Sequence, residues 1–166
     1  MATPRLVVLL LGSVVALSGC GNLVTTEIVG AVGISVDTEG DPVVVVAVCD
    51  GYLDQVAVVQ GREGLAEDET NPVVGTWDAA GQLTGVSELD LAAPGSDWQT
   101  RTPVSLETGE HYIVTARQVD ADVQASQVDF FGRDLQGMEP GFVYTGAAPE
   151  LDEHEAAAFE AASCPD

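Results

Sequence analysis

Asp37-x-Glu39-x-Asp41 places three carboxylates at alternate positions, the spacing by which loops present oxygen ligands to calcium. The EF-hand pattern also asks for Gly at its sixth position and Glu at its twelfth, and here those are Pro42 and Val48. Two readings stay open. One is weak calcium binding. The other is a hairpin turn over Asp37-Thr38-Glu39-Gly40-Asp41-Pro42, where Asp, Gly and Pro supply turn geometry. Glu67-Asp68-Glu69 reads as a solvated acidic loop. His111 is expected at the rim of a strand, on the face opposite Tyr112. His154 sits in Asp152-Glu153-His154-Glu155, which reads as a solvated helix start because neighbours at i+1 and i+2 do not face each other on a helix. No G-x-S-x-G, H-E-x-x-H or G-x-x-x-x-G-K occurs. A hydrolase would have to use scattered acids such as Asp50, Asp54 or Asp134, with two carboxylates about 5–9 Å apart. The reading is therefore non-enzymatic, with no cofactor.

Strands must position these residues. Ile34 and Val36 alternate with Ser35 and Asp37, and Val43 to Cys49 is a β-branched run of the kind a doubly buried strand needs. Asp50-Gly51 reads as a turn, followed by strands over Asp54–Gln60, Val73–Asp78 and, more weakly, Leu83–Leu91. Asp97–Leu106 carries Trp98 and Val104, with Pro103 suggesting an edge or a bulge. His111–Gln118 alternates cleanly, and Ser126–Phe131 and Gly141–Thr145 follow. Adjacent Phe130 and Phe131 point to opposite faces, one expected in the core and the other under a C-terminal helix. That helix is expected over Pro149–Ala162, with its acids at the positive end of the dipole and Leu151, Glu155 and Phe159 on one face. No internal repeat is apparent.

The N-terminus has a different character. Arg5 precedes an apolar run from Leu6 to Leu17, shorter than the roughly 20 residues of a membrane span. Leu17-Ser18-Gly19-Cys20 follows, then polar Gly21-Asn22. This stretch resembles the leader and lipobox of bacterial lipoproteins. The resemblance implies cleavage between Gly19 and Cys20, a diacylglyceryl group on the Cys20 sulfur, and an extracytoplasmic, membrane-anchored protein. Two or more acyl chains hold a protein firmly at a membrane, where one does so only marginally. The chain then divides into a signal peptide (1–19), a lipidated Cys and short tether (20–28), a β-domain (29–146) and a C-terminal helix and tail (147–166).

With Cys20 committed to lipid, Cys49 and Cys164 remain as an even pair in an oxidising compartment, where a disulfide is expected. Two sulfurs with no nearby His make a poor zinc site. The formal net charge is −22, and losing Arg5 with the leader takes it to −23; there is no lysine. That balance argues against nucleic acid as a partner, which needs basic patches. It also opposes close approach to anionic headgroups, so the acyl chains must hold the molecule.

Leu106-Glu107-Thr108-Gly109-Glu110-His111-Tyr112-Ile113-Val114 has the form L-x-x-G-x-x-Y-x-V. It resembles the tyrosine corner of fibronectin type III and other immunoglobulin-like domains, in which a Tyr hydroxyl turns back to the upstream backbone. The resemblance implies that Leu106 caps the core, Gly109 permits the turn and Tyr112 closes it. It implies an all-β, immunoglobulin-like antiparallel β-sandwich of about seven strands (near 29–37, 42–49, 54–60, 73–78, 97–106, 110–118 and 126–131) with a short C-terminal helix. That strand 42–49 ends in Cys49 and lacks the core Trp usual in fibronectin type III supports the architecture more than membership of that family. The functional expectation is an envelope interaction or accessory module, tethered through Cys20, with an envelope protein as its partner. Weak calcium or small-ligand binding, and a carboxylate hydrolase, are the alternatives.

Overall fold

The computed structural model describes residues 26–100 and 102–164; the leader, Gly19, Cys20 and most of the tether lie outside the described residues. The strands are β1 (Glu27–Val36), β2 (Pro42–Gln60), β3 (Val73–Asp90), β4 (His111–Gln118), β5 (Val123–Ser126), β6 (Val128–Phe131), β7 (Phe142–Ala147) and β8 (Glu150–Glu155). A 3-10 turn covers Asp134–Gly137, and one helix, α1 (Ala156–Ser163), follows β8 directly. All eight strands belong to one sheet. β1 pairs with β2, β2 with β4, β4 with β6, β6 with β7, and β7 with β1 again. Those five strands close into a barrel. β3 adds to β2, β5 lies between β1 and β4, and β8 adds to β7.

The all-β class agrees with the sequence reading, but the two-layer immunoglobulin-like sandwich does not. The difference lies in β2. Asp50-Gly51 does not reverse the chain. Gly51 takes φ 64°, which glycine adopts without a Cβ penalty, and Asp50 Oδ1 accepts the Gly51 N–H at 2.8 Å. The strand is deflected and continues to Gln60, 19 residues in all. Its first half pairs with β1 (Val32↔Val46) and its second half with β4 (Val58↔Val114). One strand serving both neighbourhoods turns two would-be layers into one continuous wall. The two short strands expected at 73–78 and 83–91 likewise merge into β3, which runs along both halves of β2.

Two further elements depart from expectation. Among the described residues of 97–106 there is no strand, only a bridge between Trp98 and Ala79. Trp98 is buried as a plug, its indole N–H donating to Glu88 O at 3.1 Å. The C-terminal helix has 8 residues where the reading of Pro149–Ala162 gave 14. Residues 150–155 pair with β7 from Ala147↔Glu150 to Phe142↔Glu155, and Leu151 packs toward the main core. Tertiary pairing overrides a helix propensity that differs little between residues. The acidic residues of this segment therefore line an edge strand. Charged side chains there discourage pairing with other chains.

The run Val44–Val48 is buried on both faces, as its composition suggests. Val44, Val46 and Val48 point into the barrel core with Trp77 and Phe130. Val45 and Ala47 point outward and meet Val143 and Phe159 in a second, smaller core. Phe159 is fully buried, so α1 acts as a plate over the outside of the barrel. Covering such a side chain is worth roughly 1.5–3 kcal/mol. The Cys49–Cys164 disulfide fastens the end of that plate, joining positions 115 residues apart with a Cα–Cα distance of 5.2 Å.

Reducing this disulfide is expected to lower stability by about 2–4 kcal/mol while the strand content persists. Amide exchange should accelerate first over Ala156–Ser163. An unfolding midpoint unmoved by reductant would contradict this role.

Candidate functional site

The corner at Tyr112 forms as the motif implies, although the fold around it is a barrel. Tyr112 is buried on β4, and its hydroxyl accepts the Glu107 N–H at 2.8 Å. Leu106 is half-buried against the main core. Gly109 has a different status: its φ is not positive, and a Cβ there would meet open space, so the turn does not require glycine. A second corner has the same form. On β7, the Tyr144 hydroxyl accepts the Glu139 N–H at 3.1 Å and donates to Glu153 Oε2 at 2.9 Å. Both bonds span five residues, and both segments read E-x-G-x-x-Y, at 107–112 and 139–144. A short internal repeat is thus present. In the second copy Gly141 does need its freedom, with φ 91°. Each corner turns the chain onto a barrel strand, so the motif specifies a local entry and not the sandwich.

His111 opens β4 and lies in a cluster that the sequence does not reveal. Its Nδ1 is 2.7 Å from Glu63 Oε1 and its Nε2 is 3.4 Å from Asp129 Oδ1. The ring stacks on Phe131 with centroids 4.8 Å apart, and the Arg133 guanidinium lies 4.1 Å from the Phe131 centroid. Phe131 is therefore covered by His111 and Arg133, not by α1. Strand register explains the stack, because His111 and Phe131 are direct partners between β4 and β6. Hydrogen bonding to its own backbone N–H is the main reason the Glu63 carboxyl lies below the usual glutamate range; desolvation opposes it, and the imidazole adds to it to a lesser extent. A cavity of about 130 Å³ lies beside the ring, bounded by Glu63, Leu65, Pro72 and Phe131.

The remaining candidates have structural duties. The ligand oxygens of Asp37, Glu39 and Asp41 lie within 4.8 Å of one another. Asp37 Oδ1 accepts the N–H groups of Glu39 at 2.8 Å and Asp41 at 2.9 Å, which closes the β1–β2 hairpin. His154 lies on β8, not at a helix start, with Nε2 3.0 Å from Thr145 Oγ1. Asp54 Oδ1 accepts the Val119 N–H, just beyond the end of β4. Asp134 Oδ2 accepts the Phe131 N–H at the end of β6, beside the start of β4. The length of β4, roughly 24 Å at 3.4 Å per residue, separates those two acids, so they cannot form a glycosidase-type pair. Glu63 and Asp129 are 48 and 18 residues from His111, and no local spacing announces them. The second corner could have been found by aligning 139–144 with 107–112.

Comparison with protein-family models, with curated proteins and with solved structures finds no match for this chain.

Burial, the leading cause, raises both the Tyr112 and Tyr144 phenols above their ordinary value of 10.0; nearby glutamates add to it, and the backbone N–H bonds oppose it. A folded-state value above the unfolded one means that the stabilisation is complete below about pH 10 and is lost as the pH rises through the folded values. Phenolate absorbance should show both residues ionising above the ordinary range. Tyr112→Phe should cost about 1 kcal/mol, and Tyr144→Phe, with two partners, more. Titration of both at the ordinary value would contradict the corner geometry.

Proposed function

We propose that the chain is an acyl-anchored lipoprotein of the cell envelope whose barrel is a non-catalytic interaction or accessory module at the outer face of the cytoplasmic membrane. The observation that carries this reading is the disulfide between Cys49 and Cys164 in a chain whose third cysteine, Cys20, ends a lipobox-like stretch. Structural disulfides persist in oxidising compartments, and a lipobox resemblance delivers a protein to one. The two features are independent and agree.

The short tether adds a geometric constraint. β1 begins at Glu27, seven positions after Cys20. Even fully extended, seven residues reach only about 25 Å. The domain therefore stands close to the bilayer. Glu27 N donates to Asp122 O at 2.8 Å, so the end holding the β4–β5 turn is the one nearest the anchor. Asp120 and Asp122 lie in that turn, and their charge opposes anionic headgroups. The opposite end of β4, with His111 and the acidic loop before β3, faces away and is the better placed for a protein partner of the envelope.

Mass analysis of the membrane-bound protein should find an N-terminal Cys20 carrying diacylglycerol, and Cys20→Ala should abolish the acylation and leave an uncleaved precursor. A wild-type protein cleaved elsewhere and recovered free of membranes would overturn the anchoring.

A further inference from the structure

We propose that Glu63, His111 and Asp129 form a proton-operated latch that holds the acidic loop 61–72 against the barrel. This inference stands on the cluster itself and is independent of the lipid anchor.

The loop is preassembled. Arg62 sits inside it and donates to Glu69 O at 3.0 Å, Asn71 Oδ1 at 3.1 Å, Ala66 O at 2.9 Å and Glu67 O at 3.2 Å. Asn71 Nδ2 donates to Gln60 O at 2.8 Å and closes the loop at its base. Backbone bonds at the base, Gly61 N to His111 O and Gln60 N to Pro72 O, anchor the loop without holding its outer part. Glu63 to His111 is the side-chain tie between that outer part and the barrel. Gly61 leaves room for it, since a Cβ there would collide with the imidazole.

The protonation state of the ring decides how well the tie holds. Nε2 is buried and makes no hydrogen bond, yet it lies 3.4 Å from Asp129 Oδ1. Asp129 cannot turn away, because the same Oδ1 accepts the Ala148 N–H at 2.8 Å. A neutral imidazole has one N–H. Placed on Nδ1, it serves Glu63 and leaves a lone pair facing the Asp129 carboxylate. Placed on Nε2, it serves Asp129 and gives up Glu63. Only the imidazolium offers an N–H to both carboxylates, so closing the latch takes up one proton from solvent at the imidazole. Glu110, the residue just before β4, and Arg133, across the Phe131 ring, also lie near the imidazole, one of each sign.

Imidazole is the side chain that changes charge between about pH 5 and 8. With the ring charged, both carboxylates are served and the loop is closed. Once the ring loses its proton, one N–H remains for two carboxylates and the hold on Glu63 weakens. Glu63, Glu67, Asp68 and Glu69 then repel the strongly acidic body and carry the loop outward. The Glu63 carboxyl, held below its usual range, stays charged throughout this window. The latch thus exposes an acidic loop at the His111 end of β4 in response to pH.

Backbone ¹⁵N relaxation on the mature chain in detergent micelles, at pH 5.5 and pH 8.5, tests this directly. Order parameters over residues 62–71 should stand at about 0.85 at the lower pH and fall below about 0.6 at the higher. His111→Gln and Glu63→Gln should each abolish the difference. Asp129→Asn keeps the oxygen that serves Ala148 and should shrink the difference. Amides 54–58 and 114–117 should remain rigid in every sample and so report an intact barrel. Equal loop order at both pH values in the wild type overturns the latch, whether or not the variants fold. So does a pH difference that survives in folded His111→Gln.

Discussion

Sharing of β2 between β1 and β4 is the constraint on which the rest of the molecule depends. A strand of 19 residues with a single glycine deflection reaches both ends of the barrel wall. Its inward valines build the main core, and its outward Val45 and Ala47 require a cover. α1 supplies that cover through Phe159, and the disulfide stands at the point where β2 leaves the covered region. The barrel, the helical plate and the cross-link are therefore successive consequences of one doubly buried strand.

The corners and the latch belong to the same logic at smaller scale. Tyr112 and Tyr144 each bend the incoming chain onto a barrel strand and satisfy a backbone N–H that would otherwise be left at the bend. Tyr112 is followed along β4 by alternating buried residues, and His111 precedes it on the other face. The register that places Tyr112 beside Phe130 in the core places His111 beside Phe131 outside it. The stack and the contacts of His111 with Glu63 and Asp129 at the start of β4 are thus held by core packing, not by the loop that they secure.

Much of the local structure was legible. The β-branched run at 43–48 announced a strand covered on both sides, and an even pair of cysteines announced the disulfide. The L-x-x-G-x-x-Y-x-V stretch announced a corner, although glycine at 109 was not what made it possible. What stayed hidden was non-local. Asp50-Gly51 is compatible with a hairpin and with a bend, and only the partners of 42–48 and 55–60 decide between them. The segment Glu150–Glu155 carries the acids of a helix start, yet a free edge on β7 captured it as a strand. His111 looked like a rim residue because Glu63 and Asp129 reach it through the fold and not through spacing.

Closure of the barrel is the claim on which all of this rests, and inter-strand nuclear Overhauser effects test it most directly. The account predicts cross-peaks joining Ile34 to Tyr144 and Asp129 to Ala147, together with Val58 to Val114, so that the wall can be followed round to its start. Cross-peaks joining 42–48 to 54–60 in a hairpin, with none between β1 and β7, would contradict it and restore two separate layers.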